Sequence, residues 1–432
     1  MTALTGKRLV ASILAAALTA SCAPTHVAPI STAGAAFKPD PDERKLWDEA
    51  RAEEKKLREK VALYNDPLLV DYLQGVADRL TPPGMTANPE IRYSVSVIED
   101  PTLNAFAYPH GSVYVHTGLL ARMENEDELA TVLGHEMTHV EDRHTLRSQR
   151  DAQNKQMGFA FAAIAAGVLT AGASGHAYEQ GNWTQGAMIG VMSQVLVGLG
   201  LNLAMMASVN GYGRELEREA DMGGFDKMTR AGYDTRQAPK VFEALLEEHG
   251  DSSKAEAFFF GNHPRLHERI DSANEWLSAH PSTAPPNVTG DPEGFQARIR
   301  PVIRDDARLN IDAGRLPLAE AELARVEPLL PNDPIVHELK GRLALKKADA
   351  APEAAAKAAL KKAALASYRE SIRLDPNRPV PHREVGLLAY RAGDFATACV
   401  EFGQYLELAG AAPDAQSIRD YRLELRKQGR CP

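Results

Sequence analysis

Residues 135–139 read His135-Glu136-Met137-Thr138-His139. They lie within residues 126–147, which contain no Pro and only one Gly, and this composition predicts a helix. Residues four apart share one face of a helix, so the two imidazoles can bind a single Zn²⁺. Glu136 follows the first ligand and points beside the metal, where its carboxylate can take a proton from the attacking water. The pentapeptide therefore predicts one zinc ion per chain, with His135 and His139 as ligands and Glu136 as general base.

A zinc hydrolase needs a third protein ligand and keeps its fourth position open. The segment from Arg214 to Gly224 offers Glu217 and Asp221, which lie four apart on one predicted helical face. Glu217 is the predicted third ligand, and Asp221 would accept a hydrogen bond from a ligand imidazole. Ala220 and Gly224 are small enough for this helix to approach another closely. The alternative is an ordinary charged, solvated face.

These motifs resemble the gluzincin metallopeptidases of the HtpX and CAAX-prenyl-protease superfamily. Residues 104–120 are similar to the strand-turn-strand before the zinc helix of that family, and residues 263–270 match its H-P-x-x-x-x-R-I element. The resemblance covers about residues 40–280. It implies a mostly α (α+β) zincin-type fold with a small β-sheet, and a catalytic His263 that donates to the oxyanion. His263 could instead occupy the open zinc position in a resting state, or be only a turn residue.

The N-terminus is typical of a secreted protein. Lys7 and Arg8 precede an apolar run from Leu9 to Ala20, and Cys22 follows Ser21. Residues 1–22 are therefore predicted to be a lipoprotein-type signal peptide, with Cys22 as the lipid anchor. Ordinary cleavage is the alternative, because Thr19 is unusual in a lipobox. Ala23 after the cysteine resembles lipoproteins of the outer membrane, so we expect a periplasmic protein held at that membrane by lipid.

Composition favours a globular body. Charged residues make up 25% of the 432, and the net charge of −9 argues against nucleic acid as a partner. If Cys22 takes lipid, Cys399 and Cys431 remain as a pair, and whether they bond is left open.

Several segments have their own predictions. Residues 157–173 and 186–209 carry no charged residue and are expected to form a buried or membrane-apposed helical hairpin, with a membrane span as the alternative. The other predicted elements are a flexible tether at 23–38, helices at 41–63 and 67–80, a half-buried strand at 91–97 and strands at 104–108 and 112–116.

After a Pro/Ser/Gly linker at 281–296, the chain repeats itself. Residues 331–334 recur as 376–379, a spacing of one 34-residue unit plus an insertion of 11 that we place within 346–358. Residues 297–432 thus resemble an α-helical tetratricopeptide-like domain, with an irregular helical bundle as the alternative. Stacked helical pairs bind other chains, so this domain is predicted to bind a protein partner.

The predicted organisation is a signal, a tether, a peptidase domain at 39–280, the linker and the repeats. We expect a zinc metalloendopeptidase of the bacterial envelope that degrades misfolded or stalled outer-membrane proteins. Its substrates would be unfolded polypeptides. The alternatives are a chaperone-like client-binding protein with weak or latent proteolysis and a membrane-embedded protease, which the signal and repeats disfavour.

Overall fold

The computed structural model describes residues 25–154, 212–249, 266–282, 284, 292–410 and 412–431. These residues are mostly helical with one three-stranded sheet, which confirms the predicted fold class. Residues 144–154 are helical, and short 3-10 turns cover Gly34–Ala36 and Thr235–Gln237. None of the helices within these ranges is long and apolar enough to cross a bilayer.

In chain order the helices are α1 (Ile30–Ala33), α2 (Pro41–Lys60), α3 (Pro67–Leu80), α4 (Thr117–Arg122), α5 (Glu126–Glu141), α6 (Arg214–Ala231), α7 (Ala238–His249), α8 (Leu266–Ala279), α9 (Pro292–Asp312), α10 (Leu316–Val326), α11 (Pro334–Ala350), α12 (Ala354–Leu374), α13 (Pro379–Ala392), α14 (Phe395–Leu408) and α15 (Ala415–Lys427).

The described residues form two compact units. Unit 1 takes its residues from 1–97, 104–115 and 126–290, and unit 2 takes its residues from 98–103, 116–125 and 291–432. Each unit is therefore assembled from separate stretches of the chain. The domain boundaries expected from the sequence stay a prediction.

The sheet has the strand order β1-β3-β2, with β1 at Ser94–Ile98, β2 at Ala105–Ala107 and β3 at Ser112–His116. β2 and β3 are antiparallel, with Phe106 opposite Tyr114. The alternation expected along 91–97 is present, since Val95 and Val97 are buried while Ser94 is exposed. Tyr93 donates a hydrogen bond to the carbonyl of Met137 at 3.0 Å, which joins this region to α5.

Helices α5 and α6 form the centre of unit 1. Acidic residues occupy the first turn of α5, where they interact favourably with the helix dipole. α6 ends at Gly232, whose φ of 82° is the left-handed conformation that commonly closes a helix. The helix predicted across 126–147 is interrupted, because α5 ends at Glu141 and Arg143 adopts a φ of 57°.

Two linking segments differ from their predictions. Val27, Ile30 and Phe37 are buried, and Asn88 Nδ2 donates to the Gly34 carbonyl at 2.7 Å. The prediction of a flexible tether is therefore wrong for residues 27–37, because these apolar side chains pack into unit 1. The predicted linker at 281–296 also ends early, because α9 begins at Pro292 and Phe295 is buried.

Unit 2 contains successive helix pairs with the same internal contact. A Cβ at Gly341 of α11 would lie 2.8 Å from the Tyr368 ring on α12, and a Cβ at Gly386 of α13 would lie 2.6 Å from the Phe402 ring on α14. Tyr368 follows its glycine by 27 residues and Phe402 by 16. The 11 additional residues lie between Gly341 and Tyr368, and they lengthen α11 and α12 to 17 and 21 residues, against 14 in α13 and α14.

The pairing of Cys399 and Cys431, which the sequence left open, is present in unit 2. The two residues form a disulfide with a Cα–Cα distance of 5.5 Å. The bond joins α14 to the segment after α15.

Candidate metal centre

Two helices of unit 1 bring three potential metal ligands together. His135 and His139 lie one turn apart on α5, and Glu217 lies on α6. The Nε2 atoms of the two histidines are 3.0 Å apart. The carboxylate of Glu217 lies 3.5 Å from His135 Nε2 and 3.6 Å from His139 Nε2. All three side chains are buried, so the residues proposed as ligands converge on one enclosed point.

The separations between these atoms fit a metal ion. Ligand atoms placed 2.0–2.1 Å from a tetrahedral ion are about 3.3–3.4 Å from one another. The three separations here lie on either side of that value. Two imidazole nitrogens and a carboxylate suit Zn²⁺ and leave a fourth position for water or substrate. Both the donor set and its spacing therefore fit zinc.

Asp221 holds the first histidine in the tautomer that a metal needs. Its Oδ1 lies 2.8 Å from His135 Nδ1. An ionised carboxylate can only accept, so the imidazole proton lies on Nδ1 and the lone pair on Nε2. Burial would raise the pKa of Asp221, but the charges of Arg269 and His135 outweigh burial and lower that pKa. This is the geometry that the role predicted for Asp221 requires.

Arg269 of α8 holds Asp221 in turn. It donates from Nε to Asp221 Oδ2 at 3.0 Å and from Nη2 to Oδ1 at 2.6 Å. The guanidinium is buried and lies over the Phe242 ring at 4.2 Å. Arg269 has no role among the predictions from the sequence, although it is the Arg of the H-P-x-x-x-x-R-I element. Its fixed position in that motif was the signal that could have identified it.

Tyr212 supports the other two ligands. Its ring stacks on His139 with centroids 4.1 Å apart and planes inclined by 17°. Its main-chain N–H donates to Glu217 Oε1 at 3.4 Å, and its hydroxyl lies 2.7 Å from Thr145 Oγ1. A tyrosine between two glycines carries no sequence signal for such a role, so it could not have been predicted.

Glu136, the predicted general base, directly follows His135 on α5 and is buried. Its negative charge acts on two neighbours. Burial lowers the pKa of Arg269, but Asp221 first, and then Glu217 and Glu136, raise it overall. The pKa of Tyr212 is raised mainly by burial, and the charges of Glu136 and Glu217 add to that effect.

A cavity of about 310 Å³ opens beside Glu217 and Asp221. Glu217 and Asp221 line this cavity but are themselves buried. Its walls are mostly charged, and the other lining residues are Arg214, Arg218, Glu268, Arg269, Asp271 and Ser272.

Several predictions fall outside the described residues. These are the signal peptide at 1–22 with Cys22, the uncharged segments at 157–173 and 186–209, and His263. Their roles stay predictions.

The chain is similar in sequence to known peptidases. The model of peptidase family M48 matches residues 67–282, which is half of the chain. A putative beta-barrel assembly-enhancing protease of Vibrio cholerae is 31% identical over 229 residues, covering 52% of this chain and 42% of the relative. The beta-barrel assembly-enhancing protease of Escherichia coli K12 is 28% identical over 219 residues, covering 51% and 41%. The mitochondrial metalloendopeptidase OMA1 of Schizosaccharomyces pombe is 30% identical over 235 residues, covering 53% and 61%. The chain thus matches less than two thirds of the length of each of these relatives.

Proposed function

The chain belongs to peptidase family M48, and on that premise we propose that it is a zinc-dependent endopeptidase. The observation that carries the proposal is the enclosed convergence of His135, His139 and Glu217. Because each of these side chains offers one donor atom to the same point, one Zn²⁺ per chain is expected.

Zinc bound there would polarise the scissile carbonyl and acidify the attacking water. Glu136 would accept the proton of that water on its carboxylate and pass it to the leaving amine. Asp221 and Arg269 would keep the His135 imidazole in its ligating orientation. His263 is proposed, by resemblance alone, to donate a hydrogen bond to the oxyanion.

The sheet offers a place for an extended substrate. β2 is an edge strand and packs against α5, which carries the two histidines. The N–H of Tyr108 donates a hydrogen bond to the carbonyl of Ser112. Hydrogen-bonded and non-hydrogen-bonded pairs alternate along two antiparallel strands, so Phe106 and Tyr114 form the next hydrogen-bonded pair. The main-chain groups of Ala105 and Ala107 then point away from β3. The residues of β2 are buried, so a substrate strand could add there only once this edge is uncovered. It would then form backbone hydrogen bonds without depending on its own sequence, as suits unfolded chains.

Two relatives are named beta-barrel assembly-enhancing proteases, and these names favour clients among β-barrel proteins. Together with the N-terminal signal features, they support a periplasmic enzyme that degrades misfolded or stalled outer-membrane proteins. Cys22 would carry the lipid that holds it at the outer membrane. Substitution of Cys22 by Ala should abolish labelling with a palmitate analogue, and labelling that persists would remove the anchor from this proposal.

The helix pairs of unit 2 are proposed to be tetratricopeptide-like repeats that bind a protein partner. They contain a groove of about 480 Å³ whose walls include Tyr368, Arg342 and Arg383. A polar groove of this size can accept part of another polypeptide, which also keeps open the chaperone-like function with latent proteolysis.

The test is metal content measured beside turnover. Purified mature protein should hold about one zinc, and His135→Ala, His139→Ala and Glu217→Ala should each lose it. Glu136→Gln should keep zinc and lose cleavage of a disordered substrate such as casein. Glu215→Gln is the matched control, because Glu215 is an exposed acid on the same helix as Glu217. Full activity in Glu217→Ala would refute the third ligand, and a wild type with zinc and client binding but no cleavage would favour the chaperone.

Clients can be identified with the inactive enzyme. Glu136→Gln should trap envelope proteins that the wild type removes, and a proteomic comparison of the two would name them. If outer-membrane β-barrel proteins were not enriched among the trapped chains, the client class would be wrong.

A further inference from the structure

The helix that carries both histidines ends in an unusual bend. Among the described residues, Arg143 is the only non-glycine residue with a positive φ, at 57°. Its side chain is held by Glu43, to which Nε donates at 2.8 Å, and by Asp40 at 3.2 Å. A residue with a Cβ atom adopts this left-handed conformation at an energetic cost, so surrounding contacts have to stabilise it. The bend starts a second helical segment at residue 144, directly after the zinc helix.

The first residue after the bend, His144, lies behind the ligand His139. The Nδ1 atoms of the two rings are 2.8 Å apart, and His144 has no exposed surface. At this distance one nitrogen must donate and the other accept. His139 needs its Nε2 lone pair for a metal, so its proton lies on Nδ1 and His144 Nδ1 is the acceptor.

A carboxylate fixes the other side of His144. If Nδ1 accepts, the proton of neutral His144 lies on Nε2, which is 3.2 Å from Glu219 Oε2. Glu219 also accepts from Arg147 Nη2 at 3.1 Å. It lies on α6, two residues after the ligand Glu217. Each donor in this chain of three groups therefore meets an acceptor.

We propose that His144 is a positioning residue for the metal centre, which accepts the His139 Nδ1 proton and is itself oriented by Glu219. This inference rests on the proposed function, because it assigns His139 as a ligand. His135 is held by a charged acceptor, Asp221, whereas His139 is held by a neutral imidazole. The two histidine ligands, one turn apart on α5, are thus held by partners of different charge.

The test separates the hydrogen-bond acceptor of His144 from the volume of its ring, using variants of the full mature chain. His144→Phe keeps the ring and removes the acceptor, whereas His144→Asn places an oxygen near the former Nδ1 position. His144→Phe should weaken zinc binding about 10–100-fold in a chelator competition and shift the visible d–d bands of the Co²⁺-substituted protein. His144→Asn should recover most of both. The matched control is His382→Phe, since His382 is also buried and lies 2.6 Å from a carboxylate, that of Glu401.

The thermal midpoint of the metal-free protein separates positioning from folding. Zinc affinity lost in His144→Phe at an unchanged midpoint supports the proposal. Unchanged affinity in that variant, or equal losses of affinity and midpoint in His144→Phe and His144→Asn, overturns it. If His144→Phe does not fold, Glu219→Ala decides in the same way, because the Glu219 side chain is half-exposed and its truncation removes no buried apolar group. Failure of the wild type itself to bind zinc would refute the proposed function instead.

Discussion

Gly134 and Gly224 lie against each other where the two ligand-bearing helices cross. A Cβ at Gly134 would lie 3.2 Å from Gly224 Cα, and a Cβ at Gly224 would lie 3.1 Å from the main-chain nitrogen of His135. The two backbones therefore approach as closely as glycine allows. This approach brings Glu217 of α6 within reach of the histidines of α5.

Alanine at Gly224 should push the helices apart by a few tenths of an ångström. We expect a loss of about 1–3 kcal/mol in the free energy of unfolding, because the added methyl meets backbone that cannot rotate away. Zinc affinity should fall with it, since the ligands lie on both helices. Urea unfolding of the metal-free protein and chelator competition measure the two effects.

Gly75→Ala is the control for that substitution. Gly75 also lies in a helix, but a Cβ there meets only the flexible end of Arg79 at 3.9 Å. Alanine at this position should stabilise the protein by up to about 1 kcal/mol, the difference in helix propensity. A Gly224→Ala variant as stable as Gly75→Ala would show that the crossing is not tightly packed.

Removal of Arg269 alone should lower the free energy of unfolding more than removal of both Arg269 and its ion-pair partner Asp221. Arg269→Leu leaves the buried carboxylate of Asp221 without its main counter-charge, so the free energy of unfolding should fall by about 3–5 kcal/mol. The double variant Arg269→Leu/Asp221→Leu should lose less, because no charge is left buried and unpaired. Urea unfolding of metal-free proteins tests this, and additive losses would contradict it.

The metal centre was largely predictable because its ligands follow helical spacing. His135 and His139 lie one turn apart on α5, Glu217 and Asp221 lie one turn apart on α6, and Gly224 lies at the crossing. Tyr212 was not predictable, because its stacking on His139 is a contact between residues 73 positions apart that no local pattern encodes. The bend at Arg143 was missed for a related reason, since neither Gly nor Pro marks it and Glu43 and Asp40 stabilise it from about 100 residues away.

The long-range contacts that assemble unit 2 could not be predicted from the sequence. Thr117 follows β3 directly, yet it donates a hydrogen bond to Asp306, which is 189 residues later. Local patterns of hydrophobicity give the period of each helix but not its long-range partner. The prediction that residues 297–432 form a domain separate from 39–280 therefore needs a direct test by expressing each part.

Reduction of the Cys399–Cys431 disulfide should loosen the end of unit 2 alone. The bond closes a loop with a sequence separation of 32 residues, for which the expected stabilisation is about 2–4 kcal/mol. After reduction, amide hydrogen exchange should accelerate in α15 more than in α11, while zinc affinity stays unchanged. The variant Cys399→Ser/Cys431→Ser should behave like the reduced protein with or without reductant. Unchanged exchange in α15 would show that packing alone holds this helix.

A buried pair of carboxyl groups in unit 2 should make its stability depend on pH. Asp306 and Glu322 are buried, and Asn310 Nδ2 donates to both, at 3.0 and 2.8 Å. Thr117 donates to Asp306 at 2.9 Å, and Arg122 pairs with Glu322. Burial first, and then the charge of Glu322, raise the pKa of Asp306 from 3.8 to about 8.

The sign of the effect follows from proton uptake. Between about pH 4 and 8 the folded chain holds a proton on this pair that the unfolded chain has released, so the free energy of unfolding falls as pH rises through this range. The slope from this group is at most about 1.4 kcal/mol per pH unit and vanishes above the folded pKa. Asp306→Asn mimics the protonated acid, so it should remove this slope and raise the melting temperature of unit 2 most at pH 8. Scanning calorimetry of the full chain from pH 5 to 9 measures the difference from wild type, with the exposed Asp349→Asn as control. Parallel pH profiles for the wild type and Asp306→Asn would mean that Asp306 is ionised in the folded protein at neutral pH and that Arg122 neutralises the pair.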